Sequence, residues 1–172
     1  MHSNGRTFTE YLDEKLISAP HLSEMMSLIL ARGNHVRIRA EGRSMYPFIR
    51  NLDVVTIAPL NRDKIKLGDI VAFTTSKKEN SLRLSMHRVV QKLDEGCYLI
   101  KGDNTSQHPN DTVPLNQILG RVIKIERNNR AVRFGTGRER RIVALLSRSN
   151  ILVPITDSIR KIKKIFKRRQ SQ

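Results

Sequence analysis

The sequence predicts a mainly β domain, α+β overall: a coiled, antiparallel, barrel-like sheet with helices before it and a basic helix after it. Three observations predict this. Between residues 35 and 134 the apolar residues alternate and are rich in β-branched types, in short runs separated by turn residues. Before residue 35 they recur instead at helical spacing. After Pro154 the helical spacing returns, now on a basic background. With 172 residues, 38% of them hydrophobic, the chain is long enough for one ordinary domain with appendages. The expected divisions are an N-terminal helical segment (1–34), a β domain (35–135) and a basic amphipathic tail (136–172).

Taken in order, Thr7-Phe8-Thr9-Glu10 fits a capping box and predicts a short helix over 7–17, stopped by Ala19-Pro20. Leu22, Met25, Met26, Ile29 and Leu30 predict a second helix over 22–32, ended by Gly33. Both are too short to persist alone in water and must pack on something. Strands are predicted over 36–40, 53–57, 70–74, 84–90, 97–100, 120–125 and 131–134. Asn61-Arg62-Asp63, Gly68-Asp69, Asp94-Glu95-Gly96 and Asn128-Asn129 supply turns between them. So many short strands in about 100 residues point to an antiparallel sheet that coils on itself.

Charge narrows the partners. Lys and Arg number 32 against 16 Asp and Glu, a net charge of +16. A surface that positive attracts nucleic acid, a lipid headgroup surface or an acidic polypeptide. Trp is absent and aromatics are 5%, which argues against a base-stacking surface. From Arg138 to Gln172, eleven basic residues face two acidic ones. Within that tail Ile155, Ile159, Ile162 and Phe166 recur at i, i+4, i+7 and i+11 with Lys and Arg between them. One reading is a helix over 155–169 lying on an anionic membrane surface. Another is a helix docked on the core, its basic residues suiting the negative helix end. Nucleic acid is the third and weakest. Cys97 is the sole cysteine, which excludes an intramolecular disulfide and a Cys-based zinc knuckle and fits a reducing compartment. No run of about 18 apolar residues occurs, and the polar first ten residues lack a secretory signal. The expectation is a cytoplasmic protein, peripheral on the inner face of the membrane if the tail binds lipid.

Three segments carry residues suited to chemistry. Ser44 lies in Gly42-Arg43-Ser44-Met45-Tyr46-Pro47, between two predicted strands. Glycine lets the backbone bend sharply there, and Pro47 blocks continuation of a ladder. A serine on such a turn can aim its hydroxyl into a cleft and offer its amide to an oxyanion, or it can be a plain turn serine. To act, it needs a base. His87 and the lysines are candidates, and Ser85, His87 and Val89 share one strand face. An imidazole pKa of about 6.5 suits the task, although a histidine in an apolar strand is often structural. Next come Lys101-Gly102-Asp103-Asn104 and, further on, Asp111. Either Asp103 or Asp111 could accept the second ring hydrogen of His87, or both could be ordinary turn carboxylates. A metal reading of His87, His108, Asp103 and Asp111 lacks any short paired-ligand spacing, so no metal and no other cofactor is expected.

In order and spacing these segments resemble the superfamily of serine peptidases that joins signal peptidases to repressor-type autopeptidases. Gly42-Arg43-Ser44-Met45-Tyr46-Pro47 resembles its nucleophile box, and Lys66-Leu67-Gly68-Asp69-Ile70-Val71-Ala72-Phe73 is similar to its G-D-[IV]-V-x-[FV] strand. Met86-His87-Arg88-Val89-Val90 looks like its general-base box, and Tyr98-Leu99-Ile100-Lys101-Gly102-Asp103-Asn104 like its K-G-D-N box. The likeness spans residues 36–125. It implies a signal peptidase-type fold, with Ser44 as nucleophile and His87 as base. Bacterial signal peptidases and the autopeptidases carry lysine at the base position; histidine is similar to the archaeal and endoplasmic-reticulum-type signal peptidases. In those relatives an aspartate just beyond K-G-D-N completes the set, which looks like Asp111, with Asp103 as the box aspartate. Met45 and Pro47, beside the nucleophile, are the implied substrate contacts.

Departures from the pattern carry information too. Gly42 stands where signal peptidases usually have a serine, so the resemblance implies an oxyanion held by backbone amides, that of Ser44 first. The N-terminal membrane segment of anchored signal peptidases is missing, which points to a soluble leader-peptide processor. A self-cleaving repressor would need a DNA-binding domain and a site such as Ala-Gly; the segment before Val36 is too short for the first, and no Ala-Gly occurs. The implied activity is that of a signal peptidase-type serine endopeptidase. It would cut an extended leader, signal or precursor peptide, laid beside a sheet edge, through an acyl-enzyme. The alternative is a non-catalytic module that uses the same sheet to bind peptides or a membrane surface.

Overall fold

The computed structural model describes residues 9–12, 19–60, 65–76, 82–105, 111–152 and 154. Their elements, in chain order, are β1 (Thr9–Leu12), α1 (Ala19–Ala31), β2 (His35–Arg39), β3 (Val54–Pro59), β4 (Ile70–Ser76) and β5 (Leu82–Lys92). Then follow β6 (Cys97–Lys101), β7 (Asp111–Pro114), β8 (Ile118–Arg127), β9 (Arg130–Ala131) and α2 (Arg140–Arg148). The strands join into one nine-stranded sheet in the order β1-β2-β3-β8-β4-β5-β6-β7, with β9 on β8. β1 and β2 pair in parallel, and the other pairs are antiparallel. The fold is mostly β as predicted, but the sheet does not close: β1 and β7 end it on opposite sides.

Alternation in the strands sorts apolar residues onto two faces. On one, Leu22, Met26, Ile29 and Leu30 of α1 pack with Val36, Ile38, Val55, Ile57, Ile70 and Ala72. This is the helical stripe predicted over 22–32, now with its partner surface, except that Met25 is exposed. On the other face Val71, Phe73, Val89, Tyr98, Ile100 and Val113 form a second cluster. His87 lies directly opposite Val71 across the β4–β5 pair and shares that second face, with its ring 5.7 Å from the Phe73 ring. The predicted strands over 36–40, 53–57, 70–74, 84–90, 97–100 and 120–125 correspond to β2, β3, β4, β5, β6 and β8.

Three expectations are corrected, and one strand is added. The helix predicted over 7–17 is not formed at 9–12, where the chain is strand β1. Pairing of Thr9 with His35 and of Glu10 with Val36 extends the sheet and outweighs the local capping signal. Ala19-Pro20 does not stop a helix but opens α1, since proline is tolerated in a first turn. β7 carries one buried apolar residue, Val113, too little periodicity to read; it forms because β6 offers it a ladder. The strand predicted over 131–134 shrinks to β9, and Phe134 leaves the ladder for a ring contact with Phe48 at 5.6 Å. The run Ile142 to Leu146 becomes part of α2, which buries Val143, Ala144 and Ser147 and ends at Asn150 in the left-handed conformation (φ 59°). The amide of Ile151 reaches the carbonyl of Leu146 to close that cap. The basic helix expected over 155–169 lies outside the described residues, as does His108.

Candidate active site

Three buried apolar side chains nail down the loop that carries Ser44. Met45 and Ile49 enter the main core, and Phe48 joins Val143 and Leu152 under α2. Between them the backbone closes on itself: Tyr46 N–H donates to Arg43, and Phe48 and Ile49 N–H donate to Met45. Asp53 locks the far end. Its carboxylate accepts from the Arg50 amide at 2.8 Å and from the Arg127 guanidinium at 2.6 and 2.9 Å, tying the loop to β8. Gly42 adopts φ 87°, a conformation that disfavours a side chain there, and donates its amide to Asn51. Ser44 itself stays half-exposed, as does Pro47. Met45, expected at the substrate, is instead a core residue; its side chain anchors the loop and is not presented at the surface.

Against this loop lies the Gly102–Thr105 turn that follows β6. The amide of Asn104 donates to the Ser44 carbonyl at 2.7 Å, and its side-chain nitrogen donates to the Arg43 carbonyl at 3.1 Å. Gly102 makes this approach possible: a Cβ there would stand 2.9 Å from the Ser44 carbonyl oxygen. Since β6 pairs with β5 through Arg88 and Lys101, the serine loop is brought to the strand that carries His87.

The two candidate carboxylates part company. Asp103 is completely buried and engaged by Arg88, Nε at 2.8 Å and Nη2 at 2.7 Å. Arg88 is equally buried, donates further to the carbonyls of Gly68 and Gly135, and stacks on Phe48 at 5.1 Å. Asp103 therefore belongs to a closed ion pair behind the site. Asp111, the first residue of β7, lies with Oδ2 3.7 Å from Nδ1 of His87 and keeps 36% of its side chain exposed. That separation exceeds hydrogen-bond range but is well within electrostatic reach.

A lysine contact joins the site to α2. Lys101 is buried at the end of β6 and donates Nζ to the Ser147 carbonyl at 2.8 Å and to the Asn150 side chain. Burial pushes its pKa below the usual lysine value, and the charge of Asp103 opposes that shift. At the other end of α2, Arg140 stands 3.4 Å from the buried Asp69.

Residues 5–123 match the family model described as Peptidase S24-like. The chain belongs to the peptidase S24-like family. Membership places it among serine peptidases of the repressor and signal-peptidase type, at that coarse level. No curated protein matches the chain. The matched stretch contains Ser44, His87, Asp103 and Asp111 and stops within β8, so β9 and α2 lie beyond it.

Several residues of the site went unread in the sequence. Asn104 and Gly102 hold the serine loop, Arg88 neutralises Asp103, and Lys101 fastens α2. One signal was available: Arg88 is a charge among His87, Val89 and Val90, where an inward position demands a buried opposite charge, and Asp103 in the K-G-D-N box is the natural partner. Nothing local in the sequence marks Lys101 as a helix anchor.

Proposed function

We propose that the chain is a serine endopeptidase of signal-peptidase type, acting on an extended leader, signal or precursor peptide. In this reading Ser44 Oγ attacks the scissile carbonyl while His87 takes its proton. The resulting oxyanion is held by backbone amides, that of Ser44 first. His87 then gives the proton to the departing amine, leaving an ester on Ser44. A water, deprotonated by the same imidazole, hydrolyses that ester and restores the serine. Asp111 faces Nδ1 of His87, which leaves the other ring nitrogen for the serine and stabilises the imidazolium formed in each half-reaction.

Two contacts around the end of β6 support this reading. The Ser44 loop is bonded to the turn after β6, and His87 of the neighbouring β5 has a solvated carboxylate 3.7 Å from one ring nitrogen. Asp103 is not used, because its charge is already neutralised by Arg88. The test is cleavage of a leader-type peptide with small residues at the cut site, together with labelling by a serine-directed phosphonate. Wild-type protein should cleave the peptide and take the label at Ser44; Ser44→Ala and His87→Ala should do neither. Cleavage at wild-type rate by both variants would overturn the assignment. A fold that takes no label and cuts nothing, yet binds the peptide, would make it a peptide-binding module.

A further inference from the structure

The outward face of α2 is apolar where a soluble surface helix is normally polar. Ile142 and Leu145, three residues apart and so on one face, are 62% and 54% exposed. Val143, Ala144 and Ser147 occupy the opposite, buried face. Phe134, just before the helix, is 67% exposed, and Ile151, just after it, is 46% exposed. Arginines run alongside: Arg141 and Arg148 sit one turn before and after Leu145, and Arg133 and Arg138 flank the N-terminal side, all exposed. The single acidic residue from 130 to 152 is Glu139, whose carboxylate is taken up by the amides of Gly135 and Gly137.

We infer that this face docks on an anionic lipid bilayer surface, with Ile142 and Leu145 entering the headgroup layer and Arg141 and Arg148 meeting its phosphates. Aliphatic side chains gain by leaving water, and long arginines can bury their stems while their heads stay with charge. Charge decides among other occupants. A second copy, at a net charge of +16, would bring like charge to a basic face. Residues 155–172 would do the same, with seven basic residues against one acidic. A nucleic acid would satisfy the arginines but not the aliphatic pair, and it usually takes stacking aromatics, of which this face has Phe134 alone. The face also lies beyond the stretch matched by the family.

Because the chain has no tryptophan, Leu145→Trp in the full-length protein is a sole tryptophan on this face, and Leu28→Trp, at an exposed position of α1, is its control. With phosphatidylglycerol-containing vesicles the Leu145→Trp emission should shift to the blue and the Leu28→Trp emission should stay. Neutral phosphatidylcholine vesicles should move neither. In co-sedimentation, Ile142→Ser with Leu145→Ser should weaken binding about tenfold or more, and Arg141→Glu with Arg148→Glu by a similar factor or more. Equal shifts from both tryptophans overturn the inference, as does equal binding to neutral vesicles. Binding that survives the serine pair and vanishes on removing residues 155–172 assigns the contact to the tail and overturns it too. Binding of RNA or an acidic polypeptide in preference to vesicles, independent of Ile142 and Leu145, does the same.

Discussion

The two ends of the connection from β6 to β7 treat a carboxylate in opposite ways. At the near end Asp103 is sealed, bidentately paired with Arg88, and its turn is bonded to the serine loop. At the far end Asp111 is partly solvated and lies 3.7 Å from the His87 imidazole. A charge held that tightly fixes structure and has no capacity left for a new cation. A charge held loosely can respond when a cation forms beside it. Position along the chain could not separate the two, whereas burial does.

The largest effect should come from the side that responds. Ser44→Ala should abolish cleavage, a loss of about 10^4-fold or more, and Asp111→Asn should lower kcat by up to about 10^4-fold. Both should leave thermal unfolding close to wild type. Asp103→Ala should do the reverse in order of cause: it strands the buried Arg88 charge and should cost about 3–5 kcal/mol of stability. Denaturant unfolding of the two aspartate variants, run beside steady-state kinetics, checks the contrast. If Asp111→Asn unfolds early and Asp103→Ala stays stable but inactive, the roles are exchanged.

A smaller effect tests whether α2 is fastened through the sealed end. Lys101→Met removes the donor that serves Ser147 and Asn150. It should cost about 1–3 kcal/mol and should raise hydrogen exchange at the end of α2 more than in α1. Burial lowers the Lys101 pKa, so its folded state binds the proton less tightly than the unfolded state does. Stability should therefore rise with pH as the ordinary lysine range is approached, and this rise should be absent from the methionine variant.

How much of this was legible depends on where the determining contacts lie. β2 to β6 and β8 were readable because alternation and β-branched apolar runs are local signals; β4, buried on both faces, was read from its continuous apolar run. The helix at α1 was readable for the same reason at a different period. β1 and β7 were not, because each is a short edge segment made a strand by its neighbour. The serine, the histidine and both aspartates could be named as candidates, in order, from residue type alone. Their division into a sealed and a solvated carboxylate was not, since it is set by Arg88, Gly68 and Gly135, which meet only in the folded chain. Met45 misled for a related reason: adjacency to the candidate nucleophile Ser44 says nothing about which way a side chain points on a tight loop.

The smallest expected effect concerns a third carboxylate that extends the comparison to the start of α2. Glu139 caps the turn before the helix. Its own amide, then that of Gly135 at 2.6 Å, holds its pKa below the usual glutamate value against partial burial, and Arg88 adds a favourable charge. Gly135 in turn offers its carbonyl to Arg88. The sealed end therefore runs from Asp103 through Arg88 and Gly135 to Glu139. Because the folded-state pKa is lowered, the ionised form contributes stability that is present above the unfolded value and is lost as pH falls through the folded one. Glu139→Gln keeps an acceptor but no charge. Its melting temperature should lie below wild type at neutral pH, and the gap should narrow as the solution is made acidic. If the gap is constant across that range, the carboxylate acts only as a neutral hydrogen-bond acceptor, and the sealed network ends at Gly135.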